Sequence, residues 1–238
     1  MKFIVTFFCL LSLNFLFCQY ESGIVKYGID FNEKSYNKQF RSQVKPLSRS
    51  KSFLKKYYSV YSKFYAQDIV FIRLDFNKKA YLSKPVEILI PENITGRYIS
   101  FIKRNNINYG HLDKCLFIFI KNSNKGNLII ESKKNYSWEL TNEFRTIAGY
   151  ECRKAILKKE SNPKLDYKVW FTPQIPVAFT PVRYYGLPGA TLAIKTPLKY
   201  IYAKEVEFTG NVTIKKPNDG KKMSFEEYVE KITSFKPD

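Results

Sequence analysis

Along most of this chain apolar and polar residues alternate in short runs, and turn-forming residues separate the runs. A period of two puts successive side chains on opposite faces of a strand, so the pattern predicts many short strands. Ile24–Phe31 is the first. Asp68–Phe76 and Lys79–Leu82 flank Asn77-Lys78 and read as a hairpin. Val86–Ile90 is a further short strand. Cys115–Lys121 and Asn127–Ser132 flank an Asn-Ser-Asn-Lys-Gly turn, a second hairpin signal. Trp138–Thr141, Arg145–Ile147 and Tyr150–Lys158 follow, then Tyr167–Phe171 after an Asn-Pro turn, then Ala190–Ile194 and Tyr200–Glu207. Residues 32–50 and 91–113 are polar and lack periodicity, so they read as connections. Two segments change the period. Phe53, Leu54, Tyr57, Tyr58, Tyr61 and Phe64 recur every three or four positions within Ser50–Ala66, which marks one face of a helix. Such an aromatic stripe belongs to a core more often than to a ligand platform. Ser224-Phe225-Glu226-Glu227 is a capping box that opens a short amphipathic helix to Thr233. Together these elements predict a mainly β (α+β) fold, a curved antiparallel sheet with one or two packed helices.

The segment Tyr184–Ile194, YYGLPGATLAI, is a corner in that pattern. Leu187 precedes a proline and is pushed toward extended backbone. Pro188-Gly189 then suits the centre of a type II turn, with Gly189 at positive φ. The corner offers no nucleophile, base or metal ligand.

Three ordered motifs around this corner resemble the GLPGLI family of exported proteins, found mainly in Bacteroidota. Trp138-Glu139-Leu140, then Ile147-Ala148-Gly149-Tyr150-Glu151-Cys152-Arg153-Lys154-Ala155, is similar to its W-x-L…I-x-G-Y-x-C-x-K-A pattern. Trp170-Phe171-Thr172 with Ile175-Pro176 resembles its W-[YF]-[TS]-x-x-I-P segment, and Gly186-Leu187-Pro188-Gly189 is the namesake. The chain departs from the pattern at Ala190-Thr191-Leu192, where Leu-Ile-Leu is usual, and at Thr180-Pro181, where Gly-Pro is usual. The resemblance covers roughly residues 138–208 and implies an exported protein with no assigned activity. At the level of fold, the strand pattern is also similar to the half-barrel lipoprotein carriers of the periplasm, which warrants no function on its own.

Lys2 followed by the apolar run Phe3–Phe17 reads as a signal peptide, cleaved after Cys18 to leave Gln19 first. Lipidation of Cys18 is the alternative, but Phe17 stands where a lipobox wants a small residue. The remaining 220 residues then form one domain in the periplasm or outside the cell, in the envelope. Forty Lys and Arg against 21 Asp and Glu give a formal net charge of +19. That charge would attract an anionic or amphipathic envelope component. Only eight of the forty are arginine, and the basic residues form no block, so general solvation explains most of the excess. Export removes intracellular nucleic acid from the partners.

Candidate chemistry is sparse. Cys115 and Cys152 lie beyond the signal and make one plausible disulfide in an oxidising compartment, or two buried thiols. His111, Asp113 and Cys115 alternate, which on a strand puts an imidazole, a carboxylate and a thiolate on one face. A turn between them would spoil that site. Glu205 and Glu207 share a strand face and could act as a carboxylate pair, although such pairs are usually solvated. No P-loop, dinucleotide fingerprint or CxxC is present, so no cofactor, metal or catalytic residue is expected. Trp138, Tyr150 and Trp170 read as sheet packing. The resulting expectation is a non-enzymatic binding or interaction module for an apolar or amphipathic ligand, or for an envelope partner. A hydrolase of carbohydrate or peptide working through carboxylates is one alternative, and a structural cell-surface module is another. The oligomeric state is left open.

Overall fold

The computed structural model describes residues 21–31, 70–87, 107–123, 126–133, 136–158, 167–196 and 199–233. The strands are β1 (Gly23–Phe31), β2 (Ile72–Phe76), β3 (Ala80–Pro85), β4 (Ile107–His111), β5 (Leu116–Ser123) and β6 (Gly126–Ser132). They continue with β7 (Ser137–Ile147), β8 (Tyr150–Lys158), β9 (Lys168–Thr172), β10 (Ala190–Lys195), β11 (Lys199–Phe208) and β12 (Lys221–Ser224). One helix, α1 (Phe225–Thr233), follows. The strands form one open, curved sheet in the order β12-β6-β5-β4-β3-β2-β1-β11-β10-β9-β8-β7. Neighbours are antiparallel except β12, which runs parallel to β6. The mainly β, antiparallel architecture read from the sequence is therefore the observed one.

Alternation sets which face is buried. Val25, Tyr27 and Ile29 are buried on β1, while Lys26 between them is half-exposed. Pairing carries that face sideways, because residues directly opposite each other in a ladder share a side. Gly23 faces Phe76, and the row continues through Tyr81, Gly110, Phe117 and Ser132 on β3 to β6. In the other direction Ile29 leads to Ile201, Ile194, Val169, Ala155 and Leu140 on β11 to β7.

This continuous face wraps the connection from β9 to β10, residues 173–189, which crosses it as a strap. Phe179 meets Phe76 with ring centroids 4.6 Å apart. The Pro181 carbonyl accepts from Ser83 Oγ and Asn108 Nδ2, each at 3.1 Å. Tyr185 stacks on Phe117, and its hydroxyl lies 3.3 Å from that of Ser132. Trp138 Nε1 donates to the Tyr185 carbonyl at 3.0 Å. Leu187 then packs with Ala155, Val169 and Ile194. Burying each such large side chain stabilises by about 1.5–3 kcal/mol. The strap's polar backbone needs the side-chain donors, because a buried unpaired carbonyl would offset part of that gain.

The structure refines the sequence reading. Trp138–Thr141 and Arg145–Ile147 are one strand, not two. Ile107–His111 and Lys221–Ser224, expected in connections or the tail, are strands. Cys115 belongs to the turn before β5 and takes φ 46°. The corner holds Gly189 at φ 137°, as expected, but its hydrogen bond is Gly189 N–H to the Leu187 carbonyl. That three-residue closure is a γ-turn about Pro188 rather than the expected type II turn. The capping box is formed: Ser224 N–H donates to Glu227 Oε2 and Glu227 N–H donates to Ser224 Oγ. The signal segment, the aromatic-striped helix at Ser50–Ala66 and residues 88–90 lie outside the described residues.

Candidate functional site

The family-motif residues serve the architecture. Gly149 (φ 84°) and Ala148 (φ 48°) make the tight two-residue link between β7 and β8, a geometry that needs two left-handed residues. Tyr150 opens β8 and packs at the border of the main core, where Cys152 is fully buried. Ile175 is buried at the start of the strap and Pro176 is exposed. Gly186 takes φ 97° beside Trp138. Trp170 lies on the face opposite Val169, covered by the Arg145 guanidinium at 3.9 Å from its ring centroid. Arg145 also donates to the Tyr200 hydroxyl at 3.0 Å, which locks the stack.

Three sequence candidates for chemistry come apart. The His111–Asp113–Cys115 alternation is broken, because Leu112–Cys115 is a turn. No group of three or more His, Cys, Asp or Glu among the described residues is placed to hold a metal. Glu205 and Glu207 do share a face, but Lys26 spans them at 2.9 and 2.5 Å. Its hydrogen bond holds Glu207 below the usual carboxylate range, so that carboxylate is not poised to hold a catalytic proton. The expected Cys115–Cys152 disulfide is not made, and both thiols are free. Cys115 is exposed in a turn beside β5, whereas Cys152 is buried on β8, eight neighbours away in the strand order. Burial pushes the Cys152 thiol up to about 11, which makes it a poor nucleophile.

Among the described residues, a groove and a sheet edge offer room or apolar surface. Under the strap the void is only about 10 Å³, bordered by Tyr81, Asn108, Phe117 and Tyr185, so the wrapped face is filled by the chain itself. Beside α1 there is a groove of about 1000 Å³. Leu116, Met223, Phe225 and Val229 supply its apolar walls, and Glu131, Lys133, Lys222, Glu226 and Glu230 its charged rim. The groove exists because α1 leaves β12 directly and anchors through Tyr228 and Phe225 against Phe119, 5.6 and 6.2 Å between ring centroids. Sequence reading saw the amphipathic helix but not the groove, because β12 was not visible as a strand. The second surface is the β7 edge, where Leu140 is 43% exposed and Phe144 is 55% exposed.

No family model matches the chain, and no curated protein matches it. Its shape is similar to that of PNGF-II in two solved structures. The P21 form aligns at TM-score 0.54 over 90% of this chain and 33% of its own, with 13% identity. The C2 form aligns at TM-score 0.47 over 68% of this chain and 29% of its own, with 17% identity. The chain thus spans about a third of the length of the PNGF-II chain, and a likeness at this identity concerns the fold alone.

Proposed function

We propose that this chain is an exported, non-enzymatic envelope protein of GLPGLI type that binds an amphipathic ligand in the groove beside α1. The groove carries the reading: it joins apolar walls to a charged rim, which suits a molecule with an apolar body and a polar end. Its size also falls in the range of small-molecule sites, while the void under the strap measures only about 10 Å³. The bridging of Glu205 and Glu207 by Lys26 supports a binder over a carboxylate hydrolase. The apolar run Phe3–Phe17 after Lys2 supports export, with Gln19 as the first mature residue.

Native mass spectrometry of protein purified from the envelope should find a bound amphiphile. Val229→Glu should lose it while the melting temperature stays near that of the parent. An empty parent protein that also fails to bind lysophospholipid or fatty acid saturably would refute the reading. N-terminal analysis of the same material should begin at Gln19, and an acylated Cys18 would replace a free protein with an anchored one.

A further inference from the structure

The groove beside α1 sorts the charges on its rim by sign. Lys222 lies on β12 and Lys133 directly follows β6, so both cations stand on the sheet side. These two strands run side by side, with Lys222 opposite Ile129 and Ser224 opposite Glu131. Glu226 and Glu230 both belong to α1, four positions apart, and therefore share one side of the helix. The fifth charged lining residue, Glu131, sits on the sheet but is paired with Lys216 at 3.2 Å. The side chains of Lys133, Lys222 and Glu226 make no ion pair or hydrogen bond among the described residues.

All four rim residues are exposed, so their heads reach the mouth of the groove while the apolar walls lie below. A purely anionic head laid across that mouth meets Glu226 and Glu230. A purely cationic head meets Lys133 and Lys222. Like-charge approach selects against both. A head that carries both signs places each against its opposite. Pairs this exposed contribute at most about fivefold each in affinity. The apolar walls therefore supply most of the binding, and the rim chooses among heads.

We propose that the groove selects a zwitterionic amphiphile, with its anionic oxygen group at Lys133 and Lys222 and its ammonium at Glu226 and Glu230. This rests on the groove being an amphiphile site and adds the class of head group that the site takes.

The test compares three amphiphiles of one acyl chain length, each below its micellar concentration, by titration calorimetry on the purified full-length mature protein. Lysophosphatidylethanolamine carries both charges, lysophosphatidylglycerol only the negative one, and monoacylglycerol neither. The parent should bind lysophosphatidylethanolamine several-fold more tightly than the other two. Glu226→Gln with Glu230→Gln should erase its advantage over lysophosphatidylglycerol. Lys133→Gln with Lys222→Gln should bring it down to the level of monoacylglycerol. Monoacylglycerol should bind both variants as it binds the parent, which shows that fold and groove are intact. Equal binding of all three amphiphiles by the parent would overturn the proposal and leave the groove reading standing. So would variants that keep the parent's preference. Saturable binding of none of the three would refute the groove reading, and the proposal with it.

Discussion

At Gly189 two independent constraints exclude a side chain. Its φ of 137° is a region L residues rarely adopt, and a Cβ there would stand 2.2 Å from the Thr172 carbonyl oxygen. Backbone oxygen cannot swing away as a side chain would. Gly189→Ala should therefore destabilise by at least about 1–3 kcal/mol. Urea denaturation measures it, and an unchanged midpoint would show that the corner relaxes freely. The two cysteines differ for a reason of the same kind. Cys115 should react with a thiol reagent in the native protein, and Cys152 only after unfolding, because burial keeps its thiol protonated. Peptide mapping after labelling distinguishes them, and a Cys115–Cys152 peptide would contradict the free-thiol structure. Glu207 has its pKa lowered, first by the hydrogen bond from Lys26. A carboxylate held below its unfolded value adds stability above that value, near 4.5, and loses it as pH falls through the folded one. Glu207→Gln should thus lower stability slightly at neutral pH and flatten its fall below about pH 4.5, so that parent and variant converge in acid, as thermal melts across that range would record.

Among elements, β7 shows how an exposed edge is kept from pairing. Leu140 faces Ala155 and Phe144 faces Arg153, so Thr141–Glu143 stand opposite Lys154 alone. β8 side chains hold this bulge: Arg153 donates to the Thr141 carbonyl and to Asn142, and Lys154 pairs with Glu143. Bulges interrupt the row of backbone groups that another strand would use, which is one way an edge avoids aggregation. Deleting Asn142 and Glu143 should restore an unbroken ladder and leave Leu140 and Phe144 on a flat edge. Analytical ultracentrifugation should then show concentration-dependent self-association. A monomeric deletion variant with native circular dichroism would mean that the bulge has no protective role. Legibility at this scale was uneven. Tyr150–Lys158 was read to the residue because the Gly149 turn opens it and the Ser161-Asn162-Pro163 turn signal follows it. β4 was missed because its inward positions are Asn108 and Gly110, polar and small. Asn108 is inward because the strap needs its amide, and Gly110 because Tyr81 occupies the space above it. Neither requirement exists until the strap and β3 are in place.

On the scale of the whole molecule, the topology joins distant parts of the chain. β1 pairs with β11 from Gly23↔Phe208 to Phe31↔Lys199, and without that junction the sheet falls into two halves. Long-range pairing must close large loops before it gains contacts, so folding should be slow, on the order of seconds or longer. Stopped-flow refolding followed by the fluorescence of Trp138 and Trp170 checks this. Full recovery of the native signal within milliseconds would contradict it.

The amino-acid sequence determined the strands whose periodicity is strong, the capped helix and a turn at Pro188-Gly189. These depend on local backbone preference and on alternation, which are properties of neighbouring residues. Tertiary structure alone decided that the strap crosses the wrapped face and that Lys26 bridges the Glu205–Glu207 pair. It alone decided that the cysteines stay apart, and that Tyr184 packs against Tyr136 and Tyr167. Each of these joins residues from separate strands or from the strap, and which of them meet depends on strand order and register. Alternation says which side a residue faces, but it carries no information about which strand lies next to it.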